Sequence, residues 1–174
     1  DKNNYFIHRL EKLKQIWPEA RYILLVRDGR DVACSYLELA ALDSASPYKP
    51  KLPVTIEDIA AEWSVNHERM LQFFESAGIS FMTIKFEDLL LNTEYILTSV
   101  CSFLSIPYDQ EMLNYHLSNQ VNQDEPPVTM DWKKKTLERP DKNVIGRFKK
   151  YLTEGQIETF DRIAGSMLDR FNYL

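Results

Sequence analysis

The sequence predicts an α/β fold in which a small parallel sheet is flanked by helices. Two short aliphatic runs, residues 21–26 and 80–85, have the length and the β-branched content of buried strands. Helical periodicity lies before, between and after these runs, in the order helix, strand, helix, helix, strand, helix. We therefore expect Tyr22–Val26 and Phe81–Lys85 to be neighbouring or near-neighbouring parallel strands, with the first buried on both faces.

Periodicity and capping signals define the helices around these strands. Pro18 ends the first helix, Thr55 and Asp58 form a capping signal, and Thr153 with Gln156 forms a capping box. The predicted helices are residues 5–17, 31–39, 56–77, 93–104, 110–117 and 154–171. Residues 41–53 contain three prolines and little periodicity, so they are predicted to form a long loop.

Composition excludes several classes of function. A length of 174 residues suggests one domain, and a net charge of −5 argues against a nucleic-acid binder, which needs an excess of Lys and Arg. Cys34 and Cys101 lie in apolar surroundings without metal-ligand spacing, so we expect free thiols and no metal. The sequence has no run long enough for a transmembrane segment and no signal-peptide pattern, and its free cysteines favour the cytoplasm.

A charged segment follows the first predicted strand, in the run "ILLVRDGRDVACSY" at residues 23–36. Ligands of open α/β sheets bind beyond the carboxyl ends of the strands, where Arg27 is expected. Gly29 is expected to allow a sharp turn, and Asp31 to cap the next helix. Ser35 is about one turn into that helix, and its side chain should lean back toward Arg27.

This pattern leaves two interpretations open. A guanidinium and a hydroxyl that converge on a helix start favour a phosphate site. Alternatively, residues 27–31 form a solvated salt-bridge cluster around a helix cap. The aromatic residues at helical spacing are expected to belong to the core rather than to a site; they are Trp63, Phe73 and Phe74.

Several segments, in order, resemble sulfotransferases that use 3′-phosphoadenosine 5′-phosphosulfate (PAPS). The run "RDGRDVACS" is similar to their 3′-phosphate-binding segment, and "WPEARYILLVRDGRD" is similar to bacterial and tyrosylprotein-type members. The run "IKFEDLLLNTEYILTSVCSFLSIPYD" resembles their Tyr-Glu-Asp-Leu segment and the helix after it. Residues 142–174 resemble the family's C-terminal Gly-Arg-Trp segment and last helix.

The resemblance implies a partial P-loop-type parallel sheet in a single sulfotransferase-like domain over residues 1–174. The family's 5′-phosphosulfate loop and first strand would then lie upstream of Asp1, so the chain would be an N-terminally incomplete fragment, inactive alone. The implied reaction moves a sulfonate from PAPS to a hydroxyl or amine acceptor without a metal. The alternative is a non-catalytic nucleotide-binding or interaction domain that kept the fold.

The resemblance also assigns roles to individual residues. Arg27 and Ser35 would bind the 3′-phosphate, and Lys2 would lie against the transferring sulfonate, unless it is an exposed terminal lysine. Phe86 replaces the family's tyrosine near the adenine.

A C-terminal loop would close over the 3′-phosphate through Lys142, Asn143, Gly146 and Arg147, although Lys142 and Arg147 also suit a surface loop. Phe148 stands where the family has Trp. The general base is expected upstream of Asp1, since His8 lies within a predicted helix. Residues 41–53 and 119–135 are expected to shape the acceptor pocket.

Overall fold

The computed structural model describes residues 4–122 and 126–174 of the chain. Its two strands are β1, Tyr22–Val26, and β2, Phe81–Lys85. Its helices are α1 (Leu10–Ile16), α2 (Gly29–Ala41), α3 (Ile56–Ser76), α4 (Phe86–Leu91), α5 (Thr93–Leu104), α6 (Tyr115–Asn122), α7 (Met130–Lys133), α8 (Phe148–Tyr151) and α9 (Glu154–Arg170). Short 3-10 turns include Asn4–Arg9 before α1 and Lys142–Val144 before α8.

The two strands are parallel neighbours, as the sequence predicts. Their register runs from Tyr22 opposite Phe81 to Val26 opposite Lys85, and α2 and α3 form the crossover between them. The carboxyl ends of both strands therefore lie side by side, which is where Arg27 and Phe86 follow.

The prediction that the first strand is buried on both faces is wrong for the part of the chain described. Leu24 and Val26 are buried, but Ile23 and Leu25 on the other face keep 38% and 50% of their surface exposed. The apolar run indicates a strand that is hydrophobic on both faces, but it does not indicate which face the helices cover.

The main core lies between one face of the sheet and α2, α3 and α9. Trp63, Phe73 and Phe74 are buried in it, as predicted, and Phe160 from α9 is fully enclosed. His67 is also buried, where its Nδ1 lies 2.7 Å from the Trp63 carbonyl oxygen and its ring packs on the Trp63 ring. Both cysteines are buried and free, as predicted from their surroundings.

The capping signals correctly predict where the two long helices, α3 and α9, begin. The Thr55 side chain accepts the Asp58 N–H at the start of α3, and Thr153 and Gln156 form the predicted capping box of α9. Periodicity did not predict α4, which is short and begins directly after β2.

Gly29 is needed for close packing and not for a sharp turn, which corrects the expectation from the sequence. In the described residues the glycines with positive φ are Gly78 and Gly146. A Cβ built on Gly29 would lie 2.6 Å from a Phe160 ring atom and 2.8 Å from a Trp63 ring atom. The first turn of α2 can approach α3 and α9 because this residue has no side chain.

We predict that Gly29→Ala lowers the free energy of unfolding by about 1–3 kcal/mol, because the added methyl group overpacks the Phe160–Trp63 contact. Gly155→Ala is the matched control, since its Cβ meets nothing within 4 Å in α9. The control should change stability by less than about 0.5 kcal/mol, because Gly155 lies in the first turn of α9 and its added methyl group meets no neighbour. Urea unfolding of both variants measures the difference, and equal effects would contradict the packing role.

Candidate functional site

Arg27 lies at the carboxyl edge of the sheet, immediately after β1. The strand register continues past the strands, so that Arg27 meets Phe86, the residue that follows β2. The Arg27 guanidinium carbon lies 4.7 Å from the centre of the Phe86 ring, within the range of a cation–π contact. Phe86 thus limits where the Arg27 side chain can lie.

Two arginines converge on one hydroxyl group at this edge. Arg27 Nη1 donates to Ser35 Oγ at 3.2 Å, and Arg147 Nη2 donates to the same oxygen at 2.9 Å. The Ser35 hydroxyl in turn donates to the Asp31 carbonyl one turn earlier in α2. We call Arg27, Ser35 and Arg147 the arginine cluster.

The other terminal nitrogen of each guanidinium also has a protein partner. Arg27 Nη2 donates to the Val144 carbonyl at 3.2 Å, and Arg147 Nη1 pairs with Glu38 Oε1 at 2.7 Å. The Nε atoms of Arg27 and Arg147 are both buried without a hydrogen-bond partner among the described residues. The cluster thus holds unused donors at a position where water is largely excluded.

The Asp31 carboxylate joins α2 to the C-terminal loop that carries Arg147. Its side chain is fully buried, and it accepts the Gly146 N–H at 2.6 Å on one oxygen and the Phe148 N–H at 2.9 Å on the other. Since Arg147 lies between these two amides, the carboxylate fixes the backbone from which Arg147 reaches Ser35.

Asp31 is therefore not the cap of α2, which corrects the prediction from the sequence. The cap is Asp28, whose carboxylate accepts the Arg30 N–H at 2.9 Å. The sequence offered two aspartates three residues apart, and only the position of Gly146 and Phe148 decides between them.

Gly146 takes part in the loop through its backbone. Its φ of +69° lies in the left-handed region, where a side chain would be strained. In this conformation the N–H of Gly146 faces Asp31. The Gly146 amide is therefore already hydrogen-bonded to the Asp31 carboxylate.

Burial and neighbouring charges shift the pKa values of Arg27 and Asp31. Burial lowers the pKa of the Arg27 guanidinium, and the neighbouring Arg147 lowers it further, while Asp31 acts in the opposite direction. Burial raises the pKa of the Asp31 carboxyl against the effect of its two amide donors. Burial is the largest cause of the lowered pKa of Arg27, and the arginine stays protonated.

Arg30, the second arginine of the segment, does not join the cluster. It pairs with both oxygens of Asp28 through Nε and Nη2, and it also contacts Asp161 and the Tyr173 carbonyl. The salt-bridge interpretation is thus right for Arg30 and Asp28, although both are 7% exposed and the pair is buried rather than solvated.

The other predicted site residues lie in different situations. Lys142 and Asn143 are exposed in the turn Lys142–Val144, and their side chains form no hydrogen bond or ion pair with residues 4–122 or 126–174. Lys2 lies outside the described residues. The structure therefore brings Arg27, Ser35, Phe86 and Arg147 together, with Gly146 directly beside them.

Sequence reasoning missed Glu38 and Glu87 and misread Asp31. Glu38 pairs with Arg147, and Glu87 Oε1 accepts the Asp28 N–H at 2.9 Å. The strand register was the available signal for Glu87, because it places this residue opposite Asp28. Asp31 had no such signal, since its partners are backbone amides that any residue provides.

Two segments expected to shape an acceptor pocket contact each other. The Ser44 hydroxyl donates to Asp131 at 2.6 Å, and the Ser46 hydroxyl donates to the Val128 carbonyl at 2.7 Å. The loop between α2 and α3 is thus held against the segment around α7.

The structure is that of an α/β protein in which two arginines meet a serine hydroxyl at the carboxyl edge of the sheet. The model of the sulfotransferase family matches residues 1–110, which include Arg27, Ser35 and Phe86. The chain belongs to the sulfotransferase family.

Similar proteins include two types of sulfotransferase. The chain is 26% identical to Sulfotransferase 1B1 of Mus musculus over 170 residues, which cover 86% of this chain and 55% of that protein. It is also 26% identical to Protein-tyrosine sulfotransferase 1 of Danio rerio over 119 residues, or 66% of this chain and 31% of that protein. The chain thus spans about half or less of the curated relatives it matches.

Two further observations concern the described part of the chain. None of its helices combines the length and the apolarity needed to cross a bilayer. Across residues 4–122 and 126–174, no three His, Cys, Asp or Glu side chains are grouped in a way that could hold a metal ion.

We predict that Asp31→Asn loosens the loop that carries Arg147. An asparagine of the same shape has one acceptor oxygen, so one of the two buried amides is left unpaired, which costs about 1–3 kcal/mol of stability. Amide hydrogen exchange at Gly146 and Phe148 should become faster in this variant.

Asp141→Asn is the matched control, because Asp141 caps an exposed turn through one oxygen. Asparagine caps as well as aspartate, so this variant should change stability by less than about 0.5 kcal/mol. Unchanged exchange at Gly146 and Phe148 in Asp31→Asn would contradict the role given to the carboxylate.

Proposed function

We propose that the arginine cluster binds the 3′-phosphate of PAPS, and that the protein is a sulfotransferase acting on a hydroxyl or amine acceptor. The observation that carries this proposal is the convergence of Arg27 and Arg147 on the Ser35 hydroxyl at the carboxyl end of β1. Membership of the sulfotransferase family supports PAPS as the sulfonate donor. The 3′-phosphate is the group that distinguishes PAPS from other adenine nucleotides, so it is the group that the cluster would recognise.

The chemistry of the cluster suits a phosphate group. Each guanidinium presents a planar set of N–H donors, and a phosphate oxygen can replace the Ser35 oxygen or the Val144 carbonyl as their acceptor. The buried Nε atoms of Arg27 and Arg147 add donors without a present partner in the described structure. A phosphate would also give Arg27 a charged acceptor in place of the neutral Ser35 and Val144 oxygens, at a site where burial limits screening by water.

The other predicted residues complete the proposed donor site. Phe86 packs beside the adenine and limits the position of Arg27. Lys142 and Asn143, exposed on the turn before α8, approach the 3′-phosphate as the loop closes over it. Gly146 contributes the left-handed turn that directs Arg147 into the cluster.

Lys2 is proposed to act on the transferring sulfonate. The acceptor oxygen or nitrogen attacks sulfur and gives its proton to a general base, while the bond from sulfur to the bridging oxygen breaks and 3′-phosphoadenosine 5′-phosphate leaves. Lys2 would stabilise the negative charge that develops on that oxygen. The reaction then depends on positioning and charge stabilisation, by analogy with phosphoryl transfer.

The two contacting segments around Ser46 and Asp131 are proposed to form one wall of the acceptor pocket. Their hydrogen bonds, Ser44 to Asp131 and Ser46 to Val128, hold the loop in one arrangement. A long loop fixed at its middle by side-chain contacts is typical of functional segments.

We also propose that residues 1–174 form the C-terminal part of a larger sulfotransferase domain. The exposed face of β1 carries Ile23 and Leu25, two apolar side chains of the kind that parallel sheets usually bury. Further helices of such a domain would cover this face, as helices cover the faces of parallel sheets.

On this proposal, residues 1–174 alone should bind the nucleotide product but transfer no sulfonate, because the proposed 5′-phosphosulfate loop belongs to the rest of the larger domain. Incubation with labelled PAPS and a set of phenols and amines tests this, and turnover above the rate in buffer would contradict it.

The central prediction concerns Arg27. Arg27→Ala should weaken binding of 3′-phosphoadenosine 5′-phosphate by about 1.5–3 kcal/mol, or roughly ten- to a hundredfold, because a charge-assisted hydrogen bond is lost. Binding of adenosine 5′-monophosphate, the analogue that lacks only the 3′-phosphate, should barely change. Calorimetric titration of both ligands into both proteins measures the difference.

Arg170→Ala is the matched control for this experiment. Arg170 forms an exposed ion pair with Glu75 on the surface of α9, and its loss should affect neither ligand. An equal loss of both ligands in Arg27→Ala, with a lower melting temperature, would instead support a structural salt-bridge role.

A further inference from the structure

We infer that Tyr173, acting through Glu87, is a positioning residue for the arginine cluster. The C-terminal turn after α9 holds Glu87, and Glu87 holds the backbone amide next to Arg27. This inference rests on the proposed function, because it assigns these residues to the binding of the 3′-phosphate.

The first link is the register of the two strands. Val26 lies opposite Lys85 at the ends of β1 and β2, and the next residues, Arg27 and Phe86, contact each other. One position further, Asp28 donates its N–H to Glu87 Oε1 at 2.9 Å. This hydrogen bond therefore fixes the peptide that joins Arg27 to the start of α2.

The second link is the other oxygen of Glu87. It accepts the Tyr173 hydroxyl at 2.7 Å. A glutamate side chain has several rotatable bonds, so a single hydrogen bond to a backbone amide holds it weakly. With both oxygens bound, one by Asp28 and one by Tyr173, the carboxylate has one position.

The local sequence explains why Tyr173 reaches the strand ends. Asn172 has a φ of 55°, in the left-handed region, directly after the cap residue Phe171. The Asn172 N–H donates to the Asp169 carbonyl and the Tyr173 N–H donates to the Leu168 carbonyl, at 2.8 and 2.9 Å. These two bonds form a Schellman motif, which ends α9 and turns the chain back across the sheet edge.

Two basic residues anchor this turn from outside. Arg30 donates to the Tyr173 carbonyl at 2.8 Å, and Lys85 donates to the Asn172 carbonyl at 3.0 Å. The Lys85 ammonium also lies 4.3 Å from the centre of the Tyr173 ring. Burial and the adjacent Glu87 raise the pKa of Tyr173, so its hydroxyl remains a donor at physiological pH.

The cluster thus has two separate anchors. Asp31 fixes the loop from which Arg147 extends, and the Tyr173–Glu87 pair fixes the peptide from which Arg27 extends. A guanidinium at the end of a long side chain moves when its peptide moves, so loss of either anchor should lower the selectivity of the cluster for a phosphate.

The test removes only the hydroxyl, in Tyr173→Phe. The Asp28 amide should exchange faster with solvent, while the Gly146 and Phe148 amides, which Asp31 holds, keep their rates. Binding of 3′-phosphoadenosine 5′-phosphate should weaken roughly three- to tenfold, the range for one hydrogen bond. Binding of adenosine 5′-monophosphate should stay the same.

Tyr95→Phe is the matched control, since Tyr95 is 73% exposed on α5. Glu87→Gln is the conservative rescue, because its carbonyl oxygen accepts the Asp28 N–H and its NH₂ group donates to the Tyr173 oxygen. Glu87→Gln should keep most of the preference for the 3′-phosphate that Glu87→Ala loses.

The outcomes separate this inference from the proposed function. Wild-type protein with no preference for the 3′-phosphate overturns the proposed function, and the inference with it. A wild-type preference that persists unchanged in Tyr173→Phe overturns the inference alone. An equal loss of both nucleotides with a lower melting temperature also overturns it, because Tyr173 would then only stabilise the fold.

Discussion

The buried carboxylate of Asp31 holds together two segments that lie more than a hundred residues apart in sequence. It belongs to α2, and it accepts amides on both sides of Arg147. A buried carboxylate is costly unless its oxygens are hydrogen-bonded, so the loop is held by the need to satisfy it. Ser35 and Arg147 can meet because this constraint brings their backbones together.

The parallel register of the sheet supplies the other half of the site. Because Val26 and Lys85 end their strands opposite each other, the residues after them remain adjacent. Arg27 thus lies on Phe86, and Asp28 lies against Glu87. Because parallel strands end at the same edge of the sheet, the residues that follow β1 and β2 lie together there, although they are far apart in sequence.

Much of the fold was predictable from the sequence, because the signals are local or periodic. The strands, their parallel arrangement and the capping box of Thr153 follow from short-range patterns. The meeting of Arg27 with Ser35 was also predictable, since both belong to one strand–helix unit. Whether these residues bind a nucleotide stays a prediction.

The errors have a common physical origin. The partners of Asp31 are backbone amides distant in sequence, and the neighbours of Gly29 are rings from α3 and α9. Likewise, the exposure of Leu25 depends on which elements cover the sheet. Single-sequence patterns describe what a residue can do locally, and these three positions are decided by tertiary contacts.

The distance along the chain between Asp31 and its partners has a consequence for biosynthesis. Phe148 follows Asp31 by 117 residues. At an elongation rate of 5–20 residues per second, the ribosome makes Phe148 roughly 6–23 s after Asp31. Until then the carboxylate must stay hydrated, and α2 cannot take its final place in the core. The nascent chain therefore keeps this helix accessible to solvent and to chaperones until the segment around Phe148 has been made.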